Sequence, residues 1–211
     1  MSAQRVLVFV ALHEHALQRQ YVACSLWLDY PEDRAHANLR SALWRIHRTG
    51  LRLVRADAAS IWLDDTVLVD LREAEALARR VIDPGTALDD LDGDLLHGDL
   101  LPDWYDDWLV FPRERYRQLR LHALESLCER LTQAGRLDAA LQAGLGAVAS
   151  EPLRETAHRA VIRAHLAEGN TVEAIRQFEL CERLLREQLG VRPSERMVRL
   201  MRDVRAPVTV R

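Results

Sequence analysis

The sequence contains no lysine, and all 29 of its basic residues are arginine. Without a Lys amine the chain can build neither the phosphate-gripping loop of a P-loop NTPase nor a Schiff-base catalyst. It also lacks a GxSxG elbow, a GxGxxG loop and an HExxH helix, which removes the commonest hydrolase, dinucleotide and zinc-protease frameworks. Cysteine is scarce. Cys24, Cys128 and Cys181 are odd in number and far apart, so they read as ordinary helix-face residues rather than a disulfide frame or zinc ribbon. The eight histidines show no ligand spacing, His13 and His15 being two apart and so facing apart on a helix. These absences predict a protein that is not an enzyme and has no cofactor and no metal. No apolar run approaches the roughly 20 residues of a membrane span, and the opening MSAQRVLVFVALHEH has no basic start or small-residue cleavage site. The expectation is a cytoplasmic protein without membrane association.

At 211 residues, 48% hydrophobic and 29% charged, the chain has material for one large or two small cores. The net charge is only −3, yet charge is unevenly spread. Six arginines lie between Arg34 and Arg55, with no Asp or Glu from Arg34 to Ala56. A face that merely meets water mixes signs and gains from i,i+4 acid–base pairs. This one predicts a partner that supplies the negative charge.

Two short apolar-periodic segments, RVLVFVALHEH and RQYVACSLWL, precede it and read as helices separated near Gln18 and closed by Asp29-Tyr30-Pro31. A third helix is expected from about Pro31–Asp33 to His47, stopped at Gly50. The period then changes: LRLVR and SIWLD read as a hairpin and TVLVD as a following strand. Three helices and a hairpin are the order of a winged helix-turn-helix. On the third helix Ala35, Leu39, Ala42, Leu43 and Ile46 share the core sector, while Arg34, Asn38, Ser41, Arg45 and Arg48 follow steps of 4, 3, 4 and 3 within an arc of about 80°. A helix of about 22 Å fits a major groove, where Arg forks onto guanine, Asn onto adenine and Ser reaches base or phosphate. Arg52 and Arg55, on the strand that follows, are placed to reach the flanking backbone. These seven residues are the candidate DNA-binding set.

From Leu71 onward the period is helical. Between Val81 and Pro112 lie nine aspartates and no arginine. This stretch is either a solvated connector or an acidic lip that repels DNA or contacts the arginine stripe. Trp104, Tyr105 and Trp108 at its end are expected to anchor it to a core. Further on, ALESLCERLTQAGRLDAAL (Ala123 to Leu141) aligns with AHRAVIRAHLAEGNTVEAI (Ala157 to Ile175), pairing Gly135 with Gly169 and Ala140 with Ala174. Both pairs are 34 apart (169 − 135 and 174 − 140), and about 34 is the tetratricopeptide period. Pro152 ends the first unit, Gly190 stops a later helix and Pro193-Ser194 starts the last.

Four stretches, LWLDYPEDRAHANLRSALWRIHR, VDLREAEALARR, DLLPDWYDDWLVFPRERYRQLRLHALE and EPLRETAHRAVIRAHLAEGNTVEAIRQFELCERLLREQLGVRPS, closely resemble the antibiotic-regulatory-protein type of bacterial transcriptional activator, over almost the whole chain. The resemblance implies a mostly α protein: a winged helix-turn-helix DNA-binding domain over residues 1–69 and a tetratricopeptide-like bacterial transcriptional activation domain over 70–211. It also implies promoter repeats bound in the major groove and RNA polymerase recruited. Carried over, Leu26-Trp27 belongs to the second helix, and Ala37–Arg40 and Ala42–Arg45 to the recognition helix. The family's small antiparallel sheet before the first helix has no counterpart in this sequence. Its loss would leave Val6, Leu7 and Val10 uncovered and favour docking between domains or a homodimer. The competing function is a tetratricopeptide-like protein-binding adaptor, or an antagonist of a full-length regulator, whose truncated winged helix only dimerises or antagonises.

Overall fold

The computed structural model describes residues 2–88, 96, 98–202 and 204. Its contacts divide the chain into two units, one formed by 1–73 with 101–114 and the other by 74–100 with 115–211. The chain is mostly α, a winged helix-turn-helix followed by tetratricopeptide-like helices.

The first unit runs α1 (Ser2–Ala11), β1 (Leu17–Gln18), α2 (Arg19–Leu26), α3 (Glu32–His47), β2 (Val54–Ala56) and β3 (Ser60–Leu63). The three strands form one antiparallel sheet in the order β1-β3-β2, with Leu17 opposite Ile61 and Val54 opposite Leu63. Helix α1 is apolar at i, i+3 and i+4 and buries Val6, Phe9 and Val10. Contrary to expectation, that surface is not open: Val6 and Val10 are fully buried and Leu7 is partly covered. The helix packs on α3, α2 and β3, and Trp108 comes back along the chain to set its ring edge-on against Phe9 at 5.2 Å. Arg5 pairs with Asp106 at 2.6 Å beside it. Arg72 donates to the carbonyls of Ala11 (3.3 Å) and His13 (2.8 Å), occupying acceptors that the end of α1 leaves unpaired. The argument for a homodimer from an uncovered α1 therefore falls.

TVLVD forms no strand. The Asp64 carboxylate accepts from both the backbone N–H (3.0 Å) and the hydroxyl (2.7 Å) of Thr66, which folds the chain into a turn. Val67 and Val69 pack against the core instead. The third strand is β1, two residues that fill the free side of β3.

The second unit contains most of α4 (Asp70–Ile82) and α5 (Val110–Gln133), with α6 (Leu137–Ser150), α7 (Glu155–Glu168), α8 (Thr171–Leu189) and α9 (Glu195–Arg202). The 34-residue offset is seen directly: α5/α6 and α7/α8 are paired helices, Gly135 and Gly169 turn each pair with φ of 72° and 80°, and Ala140 and Ala174 are both fully buried. Only glycine adopts that backbone without strain. Glu129 and Arg163, 34 apart, join equivalent positions of α5 and α7. Helix α9 closes the end, placing Met197 and Met201 against Ile162, Phe178 and Cys181.

Cys128 and Cys181 are buried, and burial pushes both thiols up to about 11, far from thiolate chemistry. His158, fully buried, sits between the Pro152 carbonyl (2.9 Å from Nε2) and the Gln177 amide (2.8 Å from Nδ1). Nε2 donates to the carbonyl and Nδ1 accepts from the amide, a neutral imidazole. Desolvation lowers its pKa, so the unfolded chain takes up the proton first. Its contribution is complete above the unfolded value of about 6.5 and is lost as pH falls below it. Urea midpoints measured from pH 7.5 to 5 should decline, and His158→Gln should flatten the decline; an equal slope in the variant would assign the effect elsewhere.

Candidate nucleic-acid interface

Helix α3 begins and ends where local chemistry allows. Pro31 supplies the entry, its carbonyl accepting from the N–H groups of Arg34 and Ala35 (2.9 Å each). Glu32 and Asp33 occupy the first turn and Arg45 and His47 the last, each sign facing the helix-dipole end that favours it. Gly50 ends the segment with φ of 77°. Ala35, Leu39, Ala42, Leu43 and Ile46 are buried against α1 and α2, as expected from their spacing, and Gln20 of α2 donates to Glu32 (2.9 Å).

The candidate side chains lie on the solvent side of this helix. Arg34, Ser41, Arg45 and Arg48 are exposed and Asn38 is half-buried. The Arg34 guanidinium lies over Tyr30 at 5.2 Å and that of Arg48 over Trp44 at 4.9 Å. Such stacking restrains a long side chain without neutralising it. Ser41 donates its hydroxyl to the Ala37 carbonyl (3.0 Å), so in this rotamer it offers a ligand its lone pairs and not its proton. Among the described residues no carboxylate pairs with Arg34, Arg40, Arg45, Arg48 or Arg52.

Arg55 differs. It lies opposite Trp62 in the hairpin and reaches back to Asp64 at 2.7 Å, with Asp65 at 3.7 Å. The Thr66 hydroxyl and N–H, followed by Arg55, bring the Asp64 carboxyl down to about 2. The acid-free stretch thus contains one arginine whose counter-charge comes from just past the next strand. Arg52 precedes β2 and is exposed. Between the end of α3 and the hairpin is a cleft of about 510 Å³, lined by His47, Leu51, Arg52, Arg55 and Trp62. Across it His47 Nε2 lies 3.2 Å from the Val54 carbonyl. The cationic face of α3, with no carboxylate partner among the described residues, thus lies beside the short β2–β3 hairpin.

Residues 63–205 match the model of the bacterial transcriptional activator domain, which is more than half of the chain. The chain belongs to this family. No curated protein matches the sequence. Among solved structures, EmbR of Mycobacterium tuberculosis, in a complex with a low affinity phosphopeptide, is similar with a TM-score of 0.70 at 16% identity, over 97% of this chain. That likeness is one of fold, and this activator-family chain spans 59% of the length of EmbR.

Two features of this family member differ from their sequence reading. Of the three aromatics expected to anchor the acidic segment, Trp108 does so, whereas Tyr105 is 88% exposed. Asp89, Asp90, Asp92 and Asp94, the densest part of that segment, lie outside the described residues. Asp99 pairs with the buried Arg120, and Asp106 with Arg5, so these two are fixed structurally. Sequence spacing also passed over Trp44, which is 58% exposed on α3. The available signal was its absence from the i, i+3, i+4 core set. Among the described residues, no helix is long and apolar enough to cross a membrane, and no group of His, Cys, Asp or Glu is arranged to hold a metal.

Proposed function

We propose that the chain binds duplex promoter DNA through α3 and passes that binding to RNA polymerase through its helical repeats. The DNA-binding part is residues 1–69 with the covering segment 101–114, and the activation domain is drawn from residues 70–211. One observation carries this reading: on the side away from its core α3 presents Arg34, Arg40, Arg45 and Arg48, with no carboxylate partner among the described residues. A polyanion in the groove supplies the missing charge. Family membership supports the output, since the matched domain is described as a transcriptional activator.

Within the interface, Arg34, Asn38 and Ser41 at the front of the helix face base edges, and Arg45 and Arg48 at the rear hold the backbone. Arg52 reaches the flanking phosphates. Arg55, tied to Asp64, shapes the wing and contributes its outer edge. Selection of bound sites from random duplexes, followed by affinity against salt, tests the reading. Asn38→Ala should relax preference at one position, at a cost of about 1–3 kcal/mol, while Arg48→Ala should weaken all sequences alike and lower the salt slope by about 1. Equal losses on selected and random duplexes for Asn38→Ala would remove its reading role. Absence of selectable sites and of salt dependence would leave the adaptor function, a tetratricopeptide-like platform that binds protein alone.

A further inference from the structure

The outermost line of α3 contains one large apolar side chain. With about 100° per residue, Trp44 lies about 160° from the centre of the buried set, on a ridge with Ala37, Ser41 and Arg48. Burial agrees: the indole is 58% exposed while its neighbours Leu43 and Ile46 are 5% and 4% exposed. Arg48 covers part of the ring at 4.9 Å from its centroid, and Arg40 and Arg45 flank the position in sequence, both exposed. An exposed indole with one guanidinium stacked on it, on a helix face whose arginines have no carboxylate partner among the described residues, suits a partner that is anionic overall and apolar at one point. In the major groove, the base edges offer a single apolar group, the C5-methyl of thymine.

We propose that Trp44 is a specificity-determining residue of the α3 interface, its indole seated against a thymine methyl in the major groove. This rests on the DNA-binding function proposed above. Arg48, stacked on the same ring, is held close to the backbone beside that base, so the pair couples one base-reading contact to one phosphate contact.

The test replaces each thymine of the selected site in turn by deoxyuridine, which removes the methyl and keeps the pairing edge. The protein should lose about fourfold in affinity at one position, the equivalent of one buried methyl group. Trp44→Ala should bind thymine and deoxyuridine duplexes alike at that position, with its circular dichroism unchanged, as befits an exposed side chain. Trp44→Phe, which keeps an apolar ring, should retain part of the discrimination. Tight, salt-dependent binding by the wild type that ignores every deoxyuridine, or a site with no thymine, overturns the role of Trp44 and leaves the DNA function standing. Undiminished discrimination in Trp44→Ala also overturns it. Failure of the wild type to bind duplex DNA removes both.

Discussion

Replacing Arg34, Arg45 and Arg48 together by alanine should lower affinity for duplex DNA by roughly a thousandfold at moderate salt, while Arg55→Ala alone should barely change it. The contrast follows from where the counter-charges are. Arg55 already has the Asp64 carboxylate at 2.7 Å, so moving it to a phosphate exchanges one ion pair for another and releases little. The three α3 arginines have no such partner among the described residues; two of them rest on the rings of Tyr30 and Trp44. A hydrogen bond to a charged group is worth about 1.5–3 kcal/mol, and three at the low end give the thousandfold. Each phosphate contact also releases condensed counterions at about 0.9 in the log–log slope, so the triple variant, which removes the backbone contacts of Arg45 and Arg48, should lose about 1.8 in slope. Anisotropy titrations from low to moderate salt measure both. The fold should be untouched, because these are exposed positions where substitutions usually stay within about 0.5 kcal/mol. An unchanged slope in the triple variant, or a loss from Arg55→Ala as large, would place the DNA contact elsewhere.

What could be read from sequence was whatever rests on local period and punctuation. Pro31 and Gly50 bracket α3, and Ala35, Leu39, Ala42, Leu43 and Ile46 announce its buried side; each acts within a turn or two of itself. The repeat was visible because the same demand, a left-handed turn between paired helices, recurs at Gly135 and Gly169. Errors came where distant residues decide. Val6 and Val10 looked uncovered because Trp108, about a hundred positions away, and the strand β3 cover their helix. β1 is two residues long, too short for an alternating pattern, and exists only because β3 offers an edge. TVLVD has the composition of a strand, but the Asp64–Thr66 hydrogen bonds outweigh β-propensity. Arg55 looked unpaired because its acid stands across the hairpin, nine residues on. The cationic face of α3 was legible as a charge pattern. Its exposed tryptophan was not, since an aromatic residue in a helix ordinarily signals core.

The helical repeats yield the second large effect, in a pair of substitutions two residues apart. Gly144 and Gly146 both lie inside α6, and the sequence LQAGLGAVAS does not distinguish them. Their surroundings do. A Cβ on Gly144 would stand 2.8 Å from Cγ2 of Val161 and 2.9 Å from Sγ of Cys128, whereas one on Gly146 meets nothing within 4 Å. Val161 and Cys128 are both fully buried, so neither can swing into solvent, and the methyl must push α7 or α5 aside. Gly144→Ala should therefore lower stability by about 1–3 kcal/mol, the usual cost of overpacking. Gly146→Ala should raise it by about 0.5–1 kcal/mol, since alanine restricts the unfolded chain and suits a helix interior better. For a chain of this length, each kcal/mol moves Tm by about 2–4 °C, so thermal unfolding separates the two signs. Val161→Ala should relieve part of the Gly144→Ala penalty, because it removes the nearest clashing atom; the double variant should then lie above the sum of the singles, by the coupling expected of residues in contact. Additive effects, or a Gly144→Ala protein as stable as Gly146→Ala, would mean that α5, α6 and α7 do not meet at this glycine.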